Sequence, residues 1–224
     1  MASTGFTHYY GELRPVVAKQ VNGIIHVGAN SAEEMPFYNE LPGPKLYFEP
    51  IPEIAERIVT KISKLQDPKY PSYVEVLGCG SENMKDVTLH VSANGGNSSS
   101  ILDGVNGLHF SKYGIATIKD ISIEVVRLDS YMKTHIPKNS YSFEQFPYNV
   151  LCIDTEGYDL EVLKGATETL KHIKFLMVEC WEDEYFIGCP TFEEQNKFII
   201  DQGFTLVKSD IFNKRFGNHF YTKL

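Results

Sequence analysis

Cysteine is scarce in this chain of 224 residues, and the few cysteines present are not spaced for a metal site. The four lie at positions 79, 152, 180 and 189, and no two of them form a Cys-x-x-Cys pair. Cys152 and Cys180 fall within apolar, strand-like runs, where a reduced cysteine behaves as a small hydrophobic residue. We therefore expect structural thiols rather than disulfides or a zinc site.

Long hydrophobic runs and basic blocks are also missing. No stretch approaches the roughly 18 apolar residues that a membrane-spanning helix needs, and the N-terminus lacks the basic-then-apolar order of a secretory signal. With 21 Lys and Arg against 29 Asp and Glu, the net charge is −8, which disfavours nucleic acid as a partner. The simplest expectation is a cytoplasmic protein that binds neither a membrane nor a nucleic acid, and composition leaves its oligomeric state open.

The glycine patterns that bind phosphates are incomplete in this chain. The apolar run at 24–27 ends at Gly28, but the turn reads Gly-Ala-Asn-Ser-Ala-Glu, without the second and third glycines of the dinucleotide fingerprint. No P-loop pattern occurs either, so a dehydrogenase or a P-loop nucleotidase is disfavoured. Glu49, at the end of the second apolar run, can accept hydrogen bonds from both hydroxyls of a ribose. S-adenosylmethionine, which has a nucleoside but no pyrophosphate, fits both observations.

Apolar runs alternate with amphipathic segments along most of the chain. This alternation predicts one α/β domain over residues 1–224, with a mostly parallel sheet and helices on both faces. Strands are predicted near 24–27, 46–48, 73–77, 150–153, 175–180, 204–208 and 219–222, and helices near 52–65, 158–170 and 191–202. Residues from about 93 to 147 break the rhythm, and we expect a β-containing insertion that covers the active site as a lid. A poorly ordered insertion is the alternative.

Acidic side chains follow the predicted strand at 150–153. Asp154 and Glu156 come directly after it, and Glu179 lies at the end of the next strand. Because ligands of open α/β sheets bind outside the carboxyl ends of the strands, we expect the three carboxylates to converge on one crevice. They are candidates for a general base, and they could also hold Mg²⁺, which prefers oxygen ligands. The alternative for Glu156 is simple charge complementarity with the following helix N-terminus.

Four segments occur in the order and approximate spacing of the FkbM-type methyltransferases, which the chain resembles from about residue 23 to 182. These segments are Ile25-His-Val-Gly-Ala-Asn30, Phe48-Glu-Pro50, Arg127-Leu-Asp129 and Ile153-Asp-Thr-Glu-Gly-Tyr-Asp-Leu-Glu-Val-Leu-Lys-Gly-Ala166. The resemblance implies the Rossmann-like class I methyltransferase fold, in which a seven-stranded sheet has the order 3-2-1-4-5-7-6 and an antiparallel last strand. The insertion then falls between strands 3 and 4. The resemblance also implies S-adenosylmethionine as methyl donor and usually a hydroxyl oxygen as acceptor.

The resemblance and the strand ends together predict the site residues. Those expected to hold the cofactor are His26, Gly28, Ala29, Asn30, Glu49, Pro50, Gly78, Cys79 and Asp154. His26 departs from the family pattern, which usually has an aspartate there. Asp154, Glu156 and Glu179 are the catalytic candidates, and in an alternative arrangement Asp154 binds the donor's amino group while Glu156 faces the acceptor. The candidates for binding the acceptor are Ser99, Ser100, His109 and Trp181.

The leading hypothesis is an S-adenosylmethionine-dependent O-methyltransferase that acts on a sugar, a glycan or a related small polyol. A second interpretation is methylation of RNA or protein, and the absence of a basic stripe counts against RNA. A third is a non-catalytic module that binds the cofactor and docks a partner. Asp154, Glu156 and Glu179 occurring together favour catalysis.

Overall fold

This computed structural model describes residues 18–65, 69–104, 116–135, 146–182, 185–212 and 216–223. His109, one of the candidate acceptor residues, lies outside them. The strands are β1 Ile24–Val27, β2 Lys45–Phe48, β3 Ser72–Glu75, β4 Gly78–Gly80, β5 Met84–Ser92, β6 Thr117–Arg127, β7 Val150–Ile153, β8 Phe175–Trp181, β9 Thr205–Phe212 and β10 Phe216–Thr222. The α-helices are α1 Met35–Tyr38, α2 Pro52–Ser63, α3 Leu128–His135, α4 Asp159–Lys164 and α5 Phe192–Asp201. None of these helices is long and apolar enough to cross a membrane.

Seven strands form the central sheet in the order β3-β2-β1-β7-β8-β10-β9. The pairs from β3 to β8 are parallel, and β10 runs antiparallel to both of its neighbours. When the strands of this sheet alone are numbered along the chain, the order is 3-2-1-4-5-7-6. The predicted fold class, including the antiparallel last strand, is confirmed.

The four-residue strands β1 and β7 are buried along their whole length because helices cover both faces of the sheet. One face packs against α3, α4 and α5 through Met132, Leu163 and Ile199. The other face packs against α1 and α2 through Tyr38 and Ile58. Burial on both faces explains why these strands read as continuous apolar runs rather than as alternating patterns.

Strands β4, β5 and β6 form a second sheet, in the order β4-β6-β5. Strand β4 is parallel to β6, and β5 is antiparallel to it. Leu89 and Val125 of this sheet pack against Ile51 and Ile54, which lie just past the carboxyl end of β2. The β-containing insertion therefore lies beside the ligand-binding edge of the central sheet. It begins at β4, well before residue 93, where the lid was predicted to start.

The predicted helix over 158–170 is correct only in its first half, because α4 is short and a 3₁₀ turn follows it. The reason is the buried carboxylate of Asp129, which lies in α3. It accepts hydrogen bonds from the backbone N–H and the hydroxyl of Thr169, both at 2.8 Å, and from the N–H of Glu168 at 3.1 Å. Arg127 pairs with the same carboxylate at 3.1 Å. Backbone donors bound to Asp129 do not continue an α-helix.

Candidate active site

A cavity of about 250 Å³ lies at the carboxyl ends of β1, β2 and β7. Between β1 and β7 the strand order reverses, and open α/β sheets bind their ligands at such a switch point. Every residue predicted to hold the cofactor lines this cavity: His26, Gly28, Ala29, Asn30, Glu49, Pro50, Gly78, Cys79 and Asp154. The sequence pattern therefore selected residues that lie together at one edge of the sheet, and their role in holding the cofactor stays a prediction.

Gly28 turns the chain away from β1 with a φ of 76°, which glycine adopts readily and other residues do not. Its N–H and that of Ala29 both donate to the carbonyl oxygen of Phe48 at 3.0 Å. A Cβ atom on Gly28 would lie only 1.8 Å from the carbonyl oxygen of Asp154. The turns after β1 and β7 thus approach too closely for any side chain between them.

The carboxylate of Glu49 is held firmly at the cavity wall. One oxygen accepts the N–H of Asn30 at 2.8 Å, and the other accepts the N–H of Ile51 at 2.9 Å. Burial raises the pKa of Glu49 to about 7, although the two amide hydrogen bonds oppose the shift. Each carboxylate oxygen has a second lone pair, so this fixed group can still accept hydroxyl donors from a ligand.

His26 stands where the family pattern usually has an aspartate, and its surroundings favour the neutral imidazole. Its Nδ1 atom lies 3.2 Å from the hydroxyl of Tyr38. Burial lowers the pKa of His26, and the nearby carboxylate of Glu34 partly opposes that shift. Glu34 is itself buried and lines the cavity. Sequence reasoning did not identify Glu34 as a site residue, although Glu34 lies only six residues after Gly28, at the end of the same turn region.

Asp154, Glu156 and Glu179 form a carboxylate cluster, as predicted. One oxygen from each lies within 4.8 Å of the others. Asp154 directly follows β7, and β7 pairs with β8 in a register that brings it beside Glu179. Asp154 and Glu156 line the cavity, whereas the buried Glu179 is not among the lining residues. Burial is the main cause that raises the pKa of all three carboxyls. For Asp154 the carboxylates of Asp159 and Glu34 add to the effect and bring its pKa to about 8, whereas for Glu156 and Glu179 the neighbouring Asp154 is the second cause.

The loop that carries Glu156 is strained and is held from two sides. Glu156 has a φ of 51°, in the left-handed region that costs a non-glycine residue about 1–2 kcal/mol. The buried carboxylate of Asp159 accepts the N–H groups of Thr155 at 3.3 Å and Gly157 at 3.2 Å. From the insertion, the hydroxyl of Ser100 donates to the carbonyl oxygen of Glu156 at 2.8 Å. These contacts fix the direction in which the Glu156 side chain leaves the loop.

Residues 26–206 match the family described as the methyltransferase FkbM domain. The chain belongs to this FkbM methyltransferase family. Membership and fold together make it an S-adenosylmethionine-dependent methyltransferase. No curated protein sequence is significantly similar to it.

Solved structures similar to this FkbM domain have the same fold at low sequence identity. A methyltransferase FkbM from Methylobacillus flagellatus has a TM-score of 0.52 at 12% identity, covering 89% of this chain and 43% of its own. An rRNA methylase from Streptococcus thermophilus has a TM-score of 0.51 at 11% identity, and the match covers 100% of this chain and 99% of the methylase. Magnesium protoporphyrin IX methyltransferase from Synechocystis, with bound SAM, has a TM-score of 0.50 at 7% identity, and the match covers 96% of this chain and 77% of that enzyme. The chain spans less than half of the M. flagellatus protein, and these likenesses show the fold alone.

The candidate acceptor residues of this FkbM domain occupy three different environments. Ser99 lines the cavity and accepts the N–H of Ser92 at 3.1 Å. Ser100 is buried, and its hydroxyl holds the Glu156 loop rather than facing the cavity. Trp181 stacks on Tyr185 at a centroid distance of 4.4 Å, in an aromatic cluster apart from the cavity lining. Their roles in binding an acceptor stay predictions.

Carboxylates dominate the charged groups around the cavity of this FkbM domain. The described lining residues include five of them and neither a lysine nor an arginine. The five are Glu33, Glu34, Glu49, Asp154 and Glu156. A cleft lined by charges of one sign concentrates its field on a bound molecule. The described lining therefore offers an anionic ligand no lysine or arginine to pair with, and its ionised carboxylates favour a ligand that carries positive charge.

Proposed function

We propose that this protein transfers the methyl group of S-adenosylmethionine to a hydroxyl oxygen of a sugar, a glycan or a related small polyol. The observation that supports this proposal best is the carboxylate cluster at the cavity, with oxygens from three side chains within 4.8 Å of one another. Such a cluster suits an uncharged acceptor that must lose a proton. It also suits a donor whose reacting centre is a cationic sulfonium.

On the donor side, Glu49 accepts hydrogen bonds from the two ribose hydroxyls, since its carboxylate is already oriented by two backbone N–H groups. The turn of Gly28, Ala29 and Asn30 lets the donor approach the backbone closely. Glu34, which lies on the cavity wall close to His26, supplies the negative charge for the donor's ammonium group that the family aspartate would otherwise provide. The carboxylates near the sulfonium add to this attraction.

On the acceptor side, Asp154 or Glu156 removes the hydroxyl proton as the oxygen attacks the methyl group. A general base works best when its pKa lies near the working pH, and that of Asp154 is raised to about 8. General-base assistance is typically worth about 10²–10⁴-fold in rate. Alignment of the oxygen with the breaking C–S bond contributes further, because methyl transfer is an in-line displacement.

The insertion forms part of the cavity wall. Gly96, Asn97, Ser99 and Ile101 lie within the predicted lid, and all of them line the cavity. Ser99 is in place to bind an acceptor hydroxyl, while the ring of Trp181 would contact only the far end of a larger acceptor. An RNA acceptor is disfavoured because the described lining offers its phosphates neither a lysine nor an arginine.

The first test is calorimetric titration with S-adenosylhomocysteine. We expect micromolar binding that Glu49→Gln weakens at least tenfold, while the exposed Glu53→Gln control binds as the wild type does. Failure of the wild type to bind would overturn the proposal.

The second test is transfer of radiolabelled methyl to a panel of neutral sugars and polyols. Asp154→Asn should lower kcat about 10²–10⁴-fold with donor binding retained, as expected for loss of a general base. Donor binding without methylation of any acceptor would instead favour the non-catalytic module.

A further inference from the structure

We propose that Asp154, Glu156, Glu179 and Asn218 bind one hard divalent cation, of the Mg²⁺ class, at the inner end of the cavity. The inference deepens the proposed function and rests on it only for the role of the cation. Its basis is the geometry of four oxygen-bearing side chains on adjacent strand ends.

The spacing of the three carboxylates suits a single small cation. Ligand oxygens bind Mg²⁺ at about 2.1 Å and Ca²⁺ at about 2.3–2.6 Å, so two oxygens on opposite sides of the ion lie roughly 4–5 Å apart. The nearest oxygens of Asp154, Glu156 and Glu179 all fall within 4.8 Å of one another. One ion can therefore contact all three side chains with little movement.

Asn218 provides an independent observation at the same place. It lies in β10 directly opposite Glu179 of β8, and residues opposite each other in an antiparallel pair project from the same face. Asn218 is only 8% exposed, and its side-chain oxygen accepts no hydrogen bond from the described residues. Buried polar atoms without a partner are rare, and amide oxygens are good ligands for hard cations. A cation would satisfy this oxygen.

The carboxylates themselves are only partly compensated, by a hydrogen bond between Ser98 and Glu156 and by one between Asp154 and Glu179. One oxygen of Glu156 and one of Glu179 are buried without a hydrogen-bond partner among the described residues. Among the described residues, no lysine or arginine forms an ion pair with Asp154, Glu156 or Glu179. Buried charges are normally paired or bound to a metal. The all-oxygen donor set favours Mg²⁺, Mn²⁺ or Ca²⁺ over the softer transition metals.

A cation in this position would face the cavity through Asp154 and Glu156, where the acceptor hydroxyl is proposed to lie. Contact with a divalent cation lowers the pKa of a bound hydroxyl, which assists its deprotonation. The three carboxylates would each bind the cation through one oxygen, and the second oxygen of Asp154 or Glu156 would accept the hydroxyl proton. With the pKa of the hydroxyl lowered, a weaker base would suffice.

Titration of the EDTA-treated full chain with Mn²⁺, followed by electron paramagnetic resonance without any donor, tests the site. We expect one bound Mn²⁺ per chain, which Mg²⁺ displaces. Glu179→Gln should weaken binding at least tenfold and Asn218→Ala several-fold. Glu193→Gln, which removes the charge of an exposed residue in α5, is the matched control and should leave Mn²⁺ binding unchanged.

Absence of stoichiometric Mn²⁺ binding, or equal affinity in wild type, Glu179→Gln and Asn218→Ala, would overturn the cation site. Asn218→Ala keeps the test decisive if Glu179→Gln does not fold, because the Asn218 side-chain oxygen accepts no hydrogen bond from the described residues. Titration with S-adenosylhomocysteine in EDTA separates the two proposals. If the protein binds S-adenosylhomocysteine but not Mn²⁺, the cation site is rejected and the proposed function stands. If it binds neither S-adenosylhomocysteine nor Mn²⁺, the proposed function is rejected as well.

Discussion

Replacing Glu156 by glycine should make the ligand-free protein more stable while abolishing its activity. Glycine relieves the left-handed backbone at φ 51°, which is worth about 1–2 kcal/mol. The greater freedom of glycine in the unfolded chain opposes this by about 0.4–1 kcal/mol. Removing a buried carboxylate oxygen without a partner adds about 1–3 kcal/mol. The central values sum to about 3 kcal/mol, or about 6–12 °C in melting temperature for a chain of this size.

This stabilisation should increase with pH. Burial and the neighbouring Asp154 raise the pKa of Glu156 above its ordinary value of 4.5, so the folded protein keeps a proton that the unfolded chain releases. The stability that this proton contributes is complete below pH 4.5 and is lost as the pH rises toward the folded-state pKa. Because Glu156→Gly removes that loss, its advantage over the wild type should be larger at pH 8 than at pH 5.

Thermal melts followed by circular dichroism at both pH values, with two control variants, separate the contributions. Glu156→Gln removes the charge but keeps the left-handed backbone, so it should be stabilised by less than Glu156→Gly. Asp86→Gly relieves a φ of 55° at an exposed residue outside the cavity and loses only a long, exposed hydrogen bond from Ser122 at 3.3 Å. It should report chiefly the backbone relief, about 1 kcal/mol. A Glu156→Gly variant less stable than the wild type at pH 8 would refute the reasoning.

Two further substitutions test how the site is supported. Gly28→Ala should destabilise the fold by about 3 kcal/mol in urea denaturation, because its Cβ meets a backbone carbonyl at 1.8 Å. Gly188 has a φ of 79°, and a Cβ atom added there would meet no described atom within 4 Å. Gly188→Ala should therefore cost only about 1 kcal/mol, and equal costs for the two variants would contradict the close approach at Gly28. Asp129→Ala should cost about 3–5 kcal/mol by leaving buried donors such as the N–H of Thr169 unpaired. Asp201→Ala, which removes an exposed ion pair, should cost under about 1 kcal/mol, and a similar loss in both would argue against that role for Asp129.

The central strands and the cavity lining could be predicted because both depend on local patterns, whereas the strand order was implied by the resemblance to FkbM-type methyltransferases. Strands β1 and β7 are continuous apolar runs, and Gly28, Glu49 and Asp154 each follow a strand directly. Parallel pairing of neighbouring strands then brings their carboxyl ends to one edge. Residues that act at the ends of buried parallel strands are therefore visible in the sequence alone.

The rest depends on contacts between distant segments, which no local pattern reveals. Asn218 lies in no motif, and only the register of β10 against β8 places it beside Glu179. The predicted helix over 158–170 was wrong in its second half because Asp129, 40 residues before Thr169, takes that residue's backbone N–H group. The hydrogen bonds from Thr155 and Gly157 to Asp159 likewise depend on the left-handed backbone at Glu156, which no sequence pattern predicts.

The acidic lining of the cavity has a consequence for turnover. S-adenosylmethionine enters with a positive sulfonium, and after methyl transfer the remaining thioether is neutral. Those carboxylates of the lining that are ionised therefore attract the spent cofactor less strongly than the fresh donor. A difference of about 1.4 kcal/mol corresponds to a tenfold ratio of affinities. The same charges that collect the donor thus help to clear the product, which limits inhibition by S-adenosylhomocysteine.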